Sequence, residues 1–552
     1  MPALLLGTIF TPLVGAVLVL AFAPFGRYAV RQSALVTAIL TLGMTTILLA
    51  NSDPTHEPFA ASSFAWLGES SAIDIRFAVA LDGLSLWMFG LSSLLLFTSV
   101  LVSWEAITDR PATFYALLLL LGSGMLGVFA ARDIILFYIF FEFTLIPLFF
   151  LIGVWGSEDR RYAAAKFFLY TLAGSVLTFL GLLAIVLWDY NHSATGVMTF
   201  SIPALTAGLA EHPIAAPYQL WIFIALFAGF AIKVPLFPLH TWLPLAHTQA
   251  PTAGSVILAG ILLKIGTYGF ARFSIPMLPE ATAQCVPWLL GLSVAGIIYG
   301  ALVALAQSDM KRLIAYSSVS HLGFVMLGIF ALNELGVEGG VLQMINHGLS
   351  TGGLFAVVGM VYERYHTREI DRLGGLARRV PLLALFFLLF TLSSIGLPGL
   401  NGFAGEFLIL IGMFTRAWTD APQAFELAYK AMAVLSVFGV VLGAWYMLFL
   451  VQRVFFGPLK EADHSHDAPP VRDMSLREGA ALVPLVVFVF WIGLWPEFFL
   501  ERMRPTLEPL ARPAVQAYYQ RHQGNEPSRQ QLAAERSSHV KELYVEEMTR
   551  VD

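Results

Sequence analysis

Charged residues are scarce in this 552-residue chain: Asp, Glu, Lys and Arg together make up 12% of it, whereas 57% of its residues are hydrophobic. Soluble domains usually carry about twice that share of charge. The composition therefore excludes a soluble fold and predicts an integral membrane protein. The formal net charge of -5 is small and the charges are not gathered on one face, so nothing indicates a nucleic-acid partner.

Cysteine is almost absent as well. The single Cys285 excludes a disulfide framework and cannot by itself hold an iron-sulfur cluster. The sequence also lacks a haem-ligand arrangement and a glycine-rich nucleotide fingerprint. We therefore expect the chain to bind no metal and no cofactor of its own.

The sequence is rich in long apolar runs. About 20 apolar residues cross roughly 30 Å of hydrocarbon. The first run, residues 4–23, lacks the basic start of a signal peptide, and Arg27 follows it, so we expect a retained helix. The predicted fold is an all-α polytopic membrane protein with about 14 transmembrane helices, at 3–23, 31–50, 82–103, 112–130, 133–154, 162–188, 218–247, 252–272, 284–307, 311–332, 338–362, 380–415, 425–452 and 479–500.

Two of these segments are too long for one helix and contain helix breakers. Residues 218–247 are interrupted at Pro235 and Pro238, and residues 380–415 at Pro398 and Gly399. Spans four to eight and nine to thirteen align as two sets of five, each with its broken helix in fourth place. An odd number of helices inverts the second set, which is the inverted-repeat plan of secondary transporters. The predicted divisions are 1–111 (three helices), 112–272 and 284–452 (the repeats), 453–500 (loop and last span) and 501–552 (polar tail).

Basic residues predict the orientation. Sixteen Lys and Arg fall in loops on the side of Arg27 and five on the other side, which makes the first side cytoplasmic. Both termini are then expected on the outer side of a bacterial inner membrane. This count places Lys311 in a cytoplasmic loop and Arg272 in an outer loop, and it interprets Arg132 and Asp133 as a solvated loop pair.

Four ionisable residues lie deep inside the apolar segments: Glu142, Lys233, Lys264 and Glu406. Such groups are costly in a bilayer and usually mark ion pathways. His321 and His347 lie at a similar depth to Glu142, about 14 to 15 Å from the polar ends of their spans. Because histidine can accept a proton at one nitrogen and donate from the other, these six residues together predict a proton pathway along the membrane plane.

Structural roles are the alternatives. Glu142 and Lys233 could form an ion pair that only holds helices together, and the deep histidines could simply pack. Lys166 lies about 7 to 8 Å inside its span and could extend its ammonium group to the interface. His240 and His247 are near a span end, where lining a polar cavity is as reasonable as carrying protons.

Several motifs carry a resemblance to a known family. The run KVPLFPLHTWLPLAHTQAP from Lys233, followed by LKIGTYG around Lys264, resembles the signature of the antiporter-like subunits of respiratory complex I. SDMKRLIAYSSVSH, which ends at His321, and NHGLS around His347 are similar to its next two motifs. GFAGEF (residues 402–407) resembles the M-type branch because its fifth residue is Glu406, where the L and N branches and Mrp antiporter subunits usually carry lysine.

The resemblance implies a proton-translocating, non-redox subunit driven by quinone reduction elsewhere in an NADH:quinone oxidoreductase. Glu142 and Lys233 would be the first pair, Lys264 the central carrier and Glu406 the exit carboxylate, with the two deep histidines between them. NADH or another donor, FMN, iron-sulfur clusters and quinone would bind other subunits, and L- and N-type subunits would lie on either side within the lipid bilayer. The alternatives are a subunit of an Mrp-type cation/proton antiporter and a purely structural subunit.

Overall fold

The computed structural model describes residues 1–53, 58–67, 73–193, 196–461 and 471–523. Its α-helices are α1 Pro2–Ala21, α2 Arg27–Ala50, α3 Leu86–Val102, α4 Pro111–Ala130, α5 Ile134–Phe143, α6 Leu145–Trp155, α7 Arg160–His192, α8 Ile202–Glu211, α9 Ala216–Lys233, α10 Leu243–Gln249, α11 Thr252–Ile257, α12 Leu263–Gly269, α13 Ile275–Met277, α14 Pro279–Leu305, α15 Met310–Phe330, α16 Glu334–Tyr365, α17 Pro381–Ser394, α18 Asn401–Trp418, α19 Glu426–Phe455, α20 Leu476–Leu494 and α21 Glu497–Gln523.

The polytopic helical fold is confirmed. Among the described residues, twelve helices are long and apolar enough to cross a membrane, and the two shorter apolar helices α3 and α17 stand where further spans are predicted. The total of fourteen spans and the division into two inverted repeats stay predictions.

A small sheet was not anticipated from the sequence. β1 (Phe59–Leu67) and β2 (Ile73–Leu81) form an antiparallel hairpin between α2 and α3, and β2 also pairs in parallel with the short β3 (Met198–Thr199). β1 is mostly exposed whereas β2 ends in buried residues. We call the side of the bundle that carries these strands the hairpin side, and the side of Arg27 the basic side.

Both predicted helix breaks are present. Pro235 and Pro238 lie in the nine-residue connection between α9 and α10. Pro398 and Gly399 lie between α17 and α18, where Gly396 and Gly399 have φ angles of 74° and 91°. Glycine adopts such angles without steric cost, so the chain can stop one helix and start the next within the protein interior.

One helix lies at the centre of the bundle. Elements α11 to α13 form a continuous helix, Thr252–Met277, whose residues 253–277 are all buried. We call it the Lys264 helix. Two π-helical segments, Leu258–Leu262 and Phe270–Ser274, flank the turn that carries Lys264. Such irregular turns are frequent at functional sites because they reorient side chains and free backbone carbonyl groups.

The first part of the polar tail is an ordered helix on the hairpin side. In α21, Arg504 donates to Glu338 of α16 at 2.7 Å, and the ring of Tyr518 lies 4.2 Å from the guanidinium carbon of the buried Arg416. An ion pair and a cation–π contact therefore hold α21 on the bundle. The predicted tail beyond residue 523 lies outside the described residues.

Candidate proton pathway

Lys264 and His347 are in direct contact at the centre of the bundle. Lys264 Nζ lies 2.6 Å from His347 Nδ1 of α16 and also donates to the carbonyl oxygen of Ala259, which belongs to the preceding π-helical segment. Both side chains are buried. The π-helical turn thus supplies a carbonyl group that holds the lysine in position, and the second donor of the lysine is aimed at an imidazole nitrogen.

His321 and Glu406 form the second contact. His321 Nδ1 lies 3.1 Å from Glu406 Oε1, while Ser394 Oγ and Tyr446 OH lie 3.1 Å and 3.4 Å from His321 Nε2. With Glu406 ionised, Nδ1 must be the donor, and Nε2 accepts from the two hydroxyl groups. Ser394 ends α17 and Glu406 belongs to α18, so the second helix break brings both groups to one histidine.

The two contacts meet at the histidines. The rings of His321 and His347 are 5.8 Å apart between centroids, and His347 Nε2 has no hydrogen-bond partner within the protein. Lys264, His347, His321 and Glu406 therefore follow one another in space, and we call this set the polar row. Residues from four separate helices supply it, and all four members are buried.

Amide and hydroxyl groups surround the Glu406 end of the polar row. Gln343 Nε2 donates to Glu406 Oε1 at 3.0 Å, and Asn346 Nδ2 donates to Gln343 Oε1 at 3.0 Å. Asn346 Nδ2 also donates to the carbonyl oxygen of Asn401 at the start of α18, at 2.8 Å. These hydrogen bonds fix the orientation of the carboxylate and give a buried charge polar neighbours.

Glu142 and Lys233 lie apart from the polar row, and they do not form the direct ion pair that was considered from the sequence. Lys233 Nζ and Glu142 Oε1 are both buried without a hydrogen-bond partner within the protein, although the charge of Glu142 acts on Lys233. Lys233 Nζ lies 4.9 Å from the ring centroid of Phe141. Each buried polar atom without a partner costs about 1 to 3 kcal/mol of folding free energy. A native protein that retains such atoms usually has a functional reason for them, which makes Glu142 and Lys233 candidates for function.

His247, His240 and Lys166, the other candidates from the sequence, occupy different environments. His247 is fully buried against Phe355, neither of its ring nitrogens has a partner within the protein, and the charges of Lys264 and Lys311 both act on it. His240 is buried among aromatic rings in the break between α9 and α10. Lys166 is half-buried on α7. Only His247 of these three is electrostatically linked to the polar row.

Lys311 is a buried residue and not the loop residue that the sequence predicts. It lies in α15, and its Nζ donates to the carbonyl oxygen of Ala250 at 2.5 Å, directly after α10. A cavity of about 430 Å³ with Glu105, Glu363 and His366 in its wall reaches Lys311 at the basic side. The sequence signal was weak because Lys311 stands beside Arg312 at a helix start, where basic residues are usually solvated.

Arg132 lies in the predicted loop between α4 and α5 but is not solvated, and Arg272 lies in a π-helical segment and not in a loop. Arg132 Nη1 and Arg272 Nη2 contact the two oxygens of Asp82 at 2.5 Å and 2.7 Å, and Asp82 is buried at the end of β2. Asp133 is fully buried, and its carboxylate accepts backbone N–H groups at the start of α5. Sequence distance conceals this cluster, because its members come from three separate parts of the chain.

A buried row of ionisable groups beside two broken membrane helices defines an antiporter-like subunit of an ion-translocating complex. The family model described as "NADH:quinone oxidoreductase/Mrp antiporter, TM" matches residues 131–426. NADH-quinone oxidoreductase subunit M of Rhodobacter capsulatus is 41% identical over 482 residues, which are 87% of this chain and 90% of the relative. The chain therefore belongs to the NADH:quinone oxidoreductase/Mrp antiporter family, and the M-type resemblance of its motifs is confirmed.

Solved structures agree with this assignment. A chain of respiratory complex I from Thermus thermophilus with bound NADH is 34% identical and has a TM-score of 0.78, with 92% of this chain and 99% of that chain covered. A chain of the Mrp complex from Dietzia sp. DQ12-45-1b is 21% identical, with a TM-score of 0.72 and 94% and 98% covered, and shows the shared fold alone.

Proposed function

We propose that this chain is a proton-translocating subunit in the membrane arm of an NADH:quinone oxidoreductase. The observation that carries the proposal is the polar row, in which four buried ionisable groups from four helices succeed one another inside the bundle. The M-type relatives carry the name of that enzyme. Mrp-type antiport is not favoured, because the M subunit of Rhodobacter capsulatus is 41% identical whereas the chain of the Mrp complex is 21% identical.

Proton transfer follows from the hydrogen-bond directions. A charged Lys264 donates to His347 Nδ1 and can pass its proton there. The imidazole then releases a proton from Nε2 towards His321, because a protonated imidazole carries a hydrogen on each nitrogen. His321 in turn gives its Nδ1 proton to Glu406. The second transfer returns His347 to the neutral form and the third returns His321 to it, and burial favours the neutral form of each.

Glu142 and Lys233 would hold the first proton of the cycle. Lys233 Nζ and Glu142 Oε1 are buried and form no hydrogen bond with each other, so a change in the charge of one alters the other without breaking a direct bond. His247 would connect this pair to Lys264, since its free ring nitrogens lie within the field of Lys264 and Lys311. The cavity at Lys311 would admit protons from the basic side, which is predicted to be cytoplasmic.

Energy would come from partner subunits. In this proposal the chain carries no redox group, and NADH or another donor, FMN, iron-sulfur clusters and quinone are handled elsewhere in the complex. L- and N-type subunits would flank it in a bacterial inner membrane, with both termini outside. Conformational or electrostatic coupling at the subunit contacts would then bias the proton affinities of the buried groups.

The proposal is tested on the whole complex in proteoliposomes, with NADH oxidation and proton uptake followed together. Glu406→Gln removes the charge but keeps the size, and we expect proton uptake to fall by about tenfold or more because one acid–base group is lost. Glu426→Gln, an exposed carboxylate on the next helix, is the matched control and should pump normally.

Three outcomes would contradict the proposal. Normal pumping by Glu406→Gln and Lys264→Ala in an assembled complex would indicate a purely structural subunit. Sodium-driven proton exchange without electron transfer would indicate an antiporter. A complex that assembles without this chain and pumps at the full ratio of protons to electrons would remove it from the pathway.

A further inference from the structure

The hairpin-side end of the Lys264 helix carries a fixed buried charge. Arg272, eight residues after Lys264, is 4% exposed and contacts Asp82, which also contacts Arg132. Burial alone would raise the pKa of the Asp82 carboxyl, but the charges and hydrogen bonds of Arg272 and Arg132 hold that pKa well below its usual range. Two arginines against one carboxylate leave one net positive charge. We call Asp82, Arg132 and Arg272 the Asp82 triad.

Asp133, which follows Arg132 in the chain, does not pair with the arginines of the triad. Its oxygens accept backbone N–H groups of Arg76, Ile135 and Leu136 at 3.1, 2.9 and 3.2 Å, whereas Arg132 and Arg272 are both directed at Asp82. Asp74 pairs with Arg76 at the strand surface. A small cavity beside Asp82 is lined by one more residue of each sign, Asp53 and Arg502.

Aromatic side chains pack around Tyr268, which lies midway between Lys264 and Arg272 on the same helix. Its ring lies 5.2 Å from that of Phe129 and 6.3 Å from that of Phe137, and all three rings are fully buried. Its hydroxyl accepts a hydrogen bond from Arg272 Nε at 3.2 Å. Lys264 and Arg272 are about 12 Å apart along the helix at 1.5 Å per residue. A proton leaving Lys264 towards the hairpin side would therefore pass apolar rings and one hydroxyl that already bonds Arg272, and would then meet a positive charge.

A proton that leaves Lys264 along the polar row meets polar partners instead. From Lys264 the polar row continues through His347 and His321 to Glu406. A pump needs this asymmetry, because a proton that reached the outer side directly from the central lysine would bypass the row and the coupling that drives it.

We propose that the Asp82 triad is an electrostatic barrier that blocks proton leakage from Lys264 to the hairpin side and so confines protons to the polar row. The inference rests on the proposed function. It assigns to Asp82, Arg132 and Arg272 a role in directing protons. The alternative is that the triad only holds the helices together, and the two roles predict different behaviour of the variants.

Passive leakage is the measurement that separates these roles. A pH step is imposed across proteoliposomes that contain the assembled complex, without NADH, and proton flux is followed with an entrapped pH-sensitive dye. Arg272→Gln makes the triad neutral, and we expect leakage to rise at least fivefold with a lower ratio of protons to electrons during turnover. Arg272→Lys keeps the charge and should leak no more than twice as fast as the unaltered complex.

Asp82→Asn distinguishes charge from structure. It weakens both ion pairs but leaves both arginines, so an electrostatic barrier predicts leakage no greater than in the unaltered complex. A purely structural plug predicts that Asp82→Asn leaks as much as Arg272→Gln, and that result would overturn the proposal. Arg416→Gln removes an equally buried arginine on the same side of the bundle, and it should not leak.

The source of the leak is tested with Lys264. Adding Lys264→Ala to Arg272→Gln should abolish the extra leakage, and persistence of the leak would contradict the proposal. If Arg272→Gln fails to assemble, Arg132→Gln removes the same charge from the more exposed of the two arginines. Unchanged leakage in the arginine variants, together with loss of pumping in Lys264→Ala alone, would reject the barrier and leave the proposed function standing.

Discussion

The regions around the two broken helices hold their ionisable groups in different ways. Around the second break, His321 contacts Glu406 directly, and the row continues to Lys264 through His347. Around the first break, Glu142 and Lys233 lie near each other without contact, and each has a buried polar atom with no partner. The ionisable groups at the second break are joined by direct contacts, whereas Glu142 and Lys233 at the first break are separated by a gap; we call these two residues the interrupted pair. The distance across such a gap changes with small movements, so we infer that control of proton transfer resides at the first break.

The largest expected effect comes from removing Lys264, the first residue of the polar row. Lys264→Ala should lower proton uptake roughly 100-fold in the assembled complex, since His347 loses its proton donor and a positioned acid–base group is typically worth that much. Proton uptake and NADH oxidation in proteoliposomes are the measurements. Lys430→Ala, a half-exposed lysine in α19, is the control. Proton uptake at the normal rate in Lys264→Ala would show that proton transfer between the two regions does not pass through Lys264.

The interrupted pair should also be sensitive. Lys233→Ala and Glu142→Gln are each expected to reduce electron transfer and pumping by roughly tenfold. This is less than the roughly 100-fold effect of a positioned acid–base group, because Lys233 Nζ and Glu142 Oε1 have no hydrogen-bond partner that would position them. Since the two residues act as one unit, the double variant should be little worse than either single variant. Additive losses in the double variant, measured by the same assays, would show that they act separately.

A smaller effect is expected where hydrogen bonds only orient His321. Ser394→Ala removes one donor to His321 Nε2, and the loss of about 1 kcal/mol of hydrogen-bond energy corresponds to roughly a fivefold slower pump. Ser436→Ala, a buried serine in α19 that bonds only within its own helix, is the matched control. Equal rates in the two variants would show that the orientation of His321 does not limit transfer.

The smallest effect belongs to Lys166. It is half-buried on α7, and a flexible lysine at that depth can place its charge at the interface, so Lys166→Gln should change pumping by less than about twofold. Proton uptake per electron is the appropriate measurement. A loss of pumping as large as that of Lys233→Ala would show that Lys166 acts together with Glu142 and Lys233 at the first break.

Several features could be predicted from the sequence because they depend on local patterns. Pro235, Pro238, Pro398 and Gly399 are helix breakers inside apolar segments too long for one span, and the structure has both breaks at these residues. Helical rise predicted that Lys264 and His347 both lie deep in their spans, and the two side chains are in contact. The hairpin of β1 and β2 was missed because it lies between two apolar spans, in a segment assigned to their connection.

The errors share one cause. Lys311, Arg132 and Arg272 stand near span ends, where basic residues usually face water, so the sequence interpreted them as solvated residues. Each is held instead by a group far away in the chain: Lys311 by the carbonyl of Ala250, and the two arginines by Asp82. Depth along one helix is visible in the sequence, but the direction in which a side chain points is not.

Composition and local pattern by themselves determined that this is a polytopic membrane protein with two broken helices, because hydrophobicity and helix breaking act over a few residues. Tertiary structure alone decided that His347 contacts Lys264 while Glu142 and Lys233 stay apart, and that two arginines enclose Asp82. The reason is physical: a charge buried in an apolar bundle takes whichever partner helix packing brings within about 3 Å, and packing joins residues that are far apart in the chain.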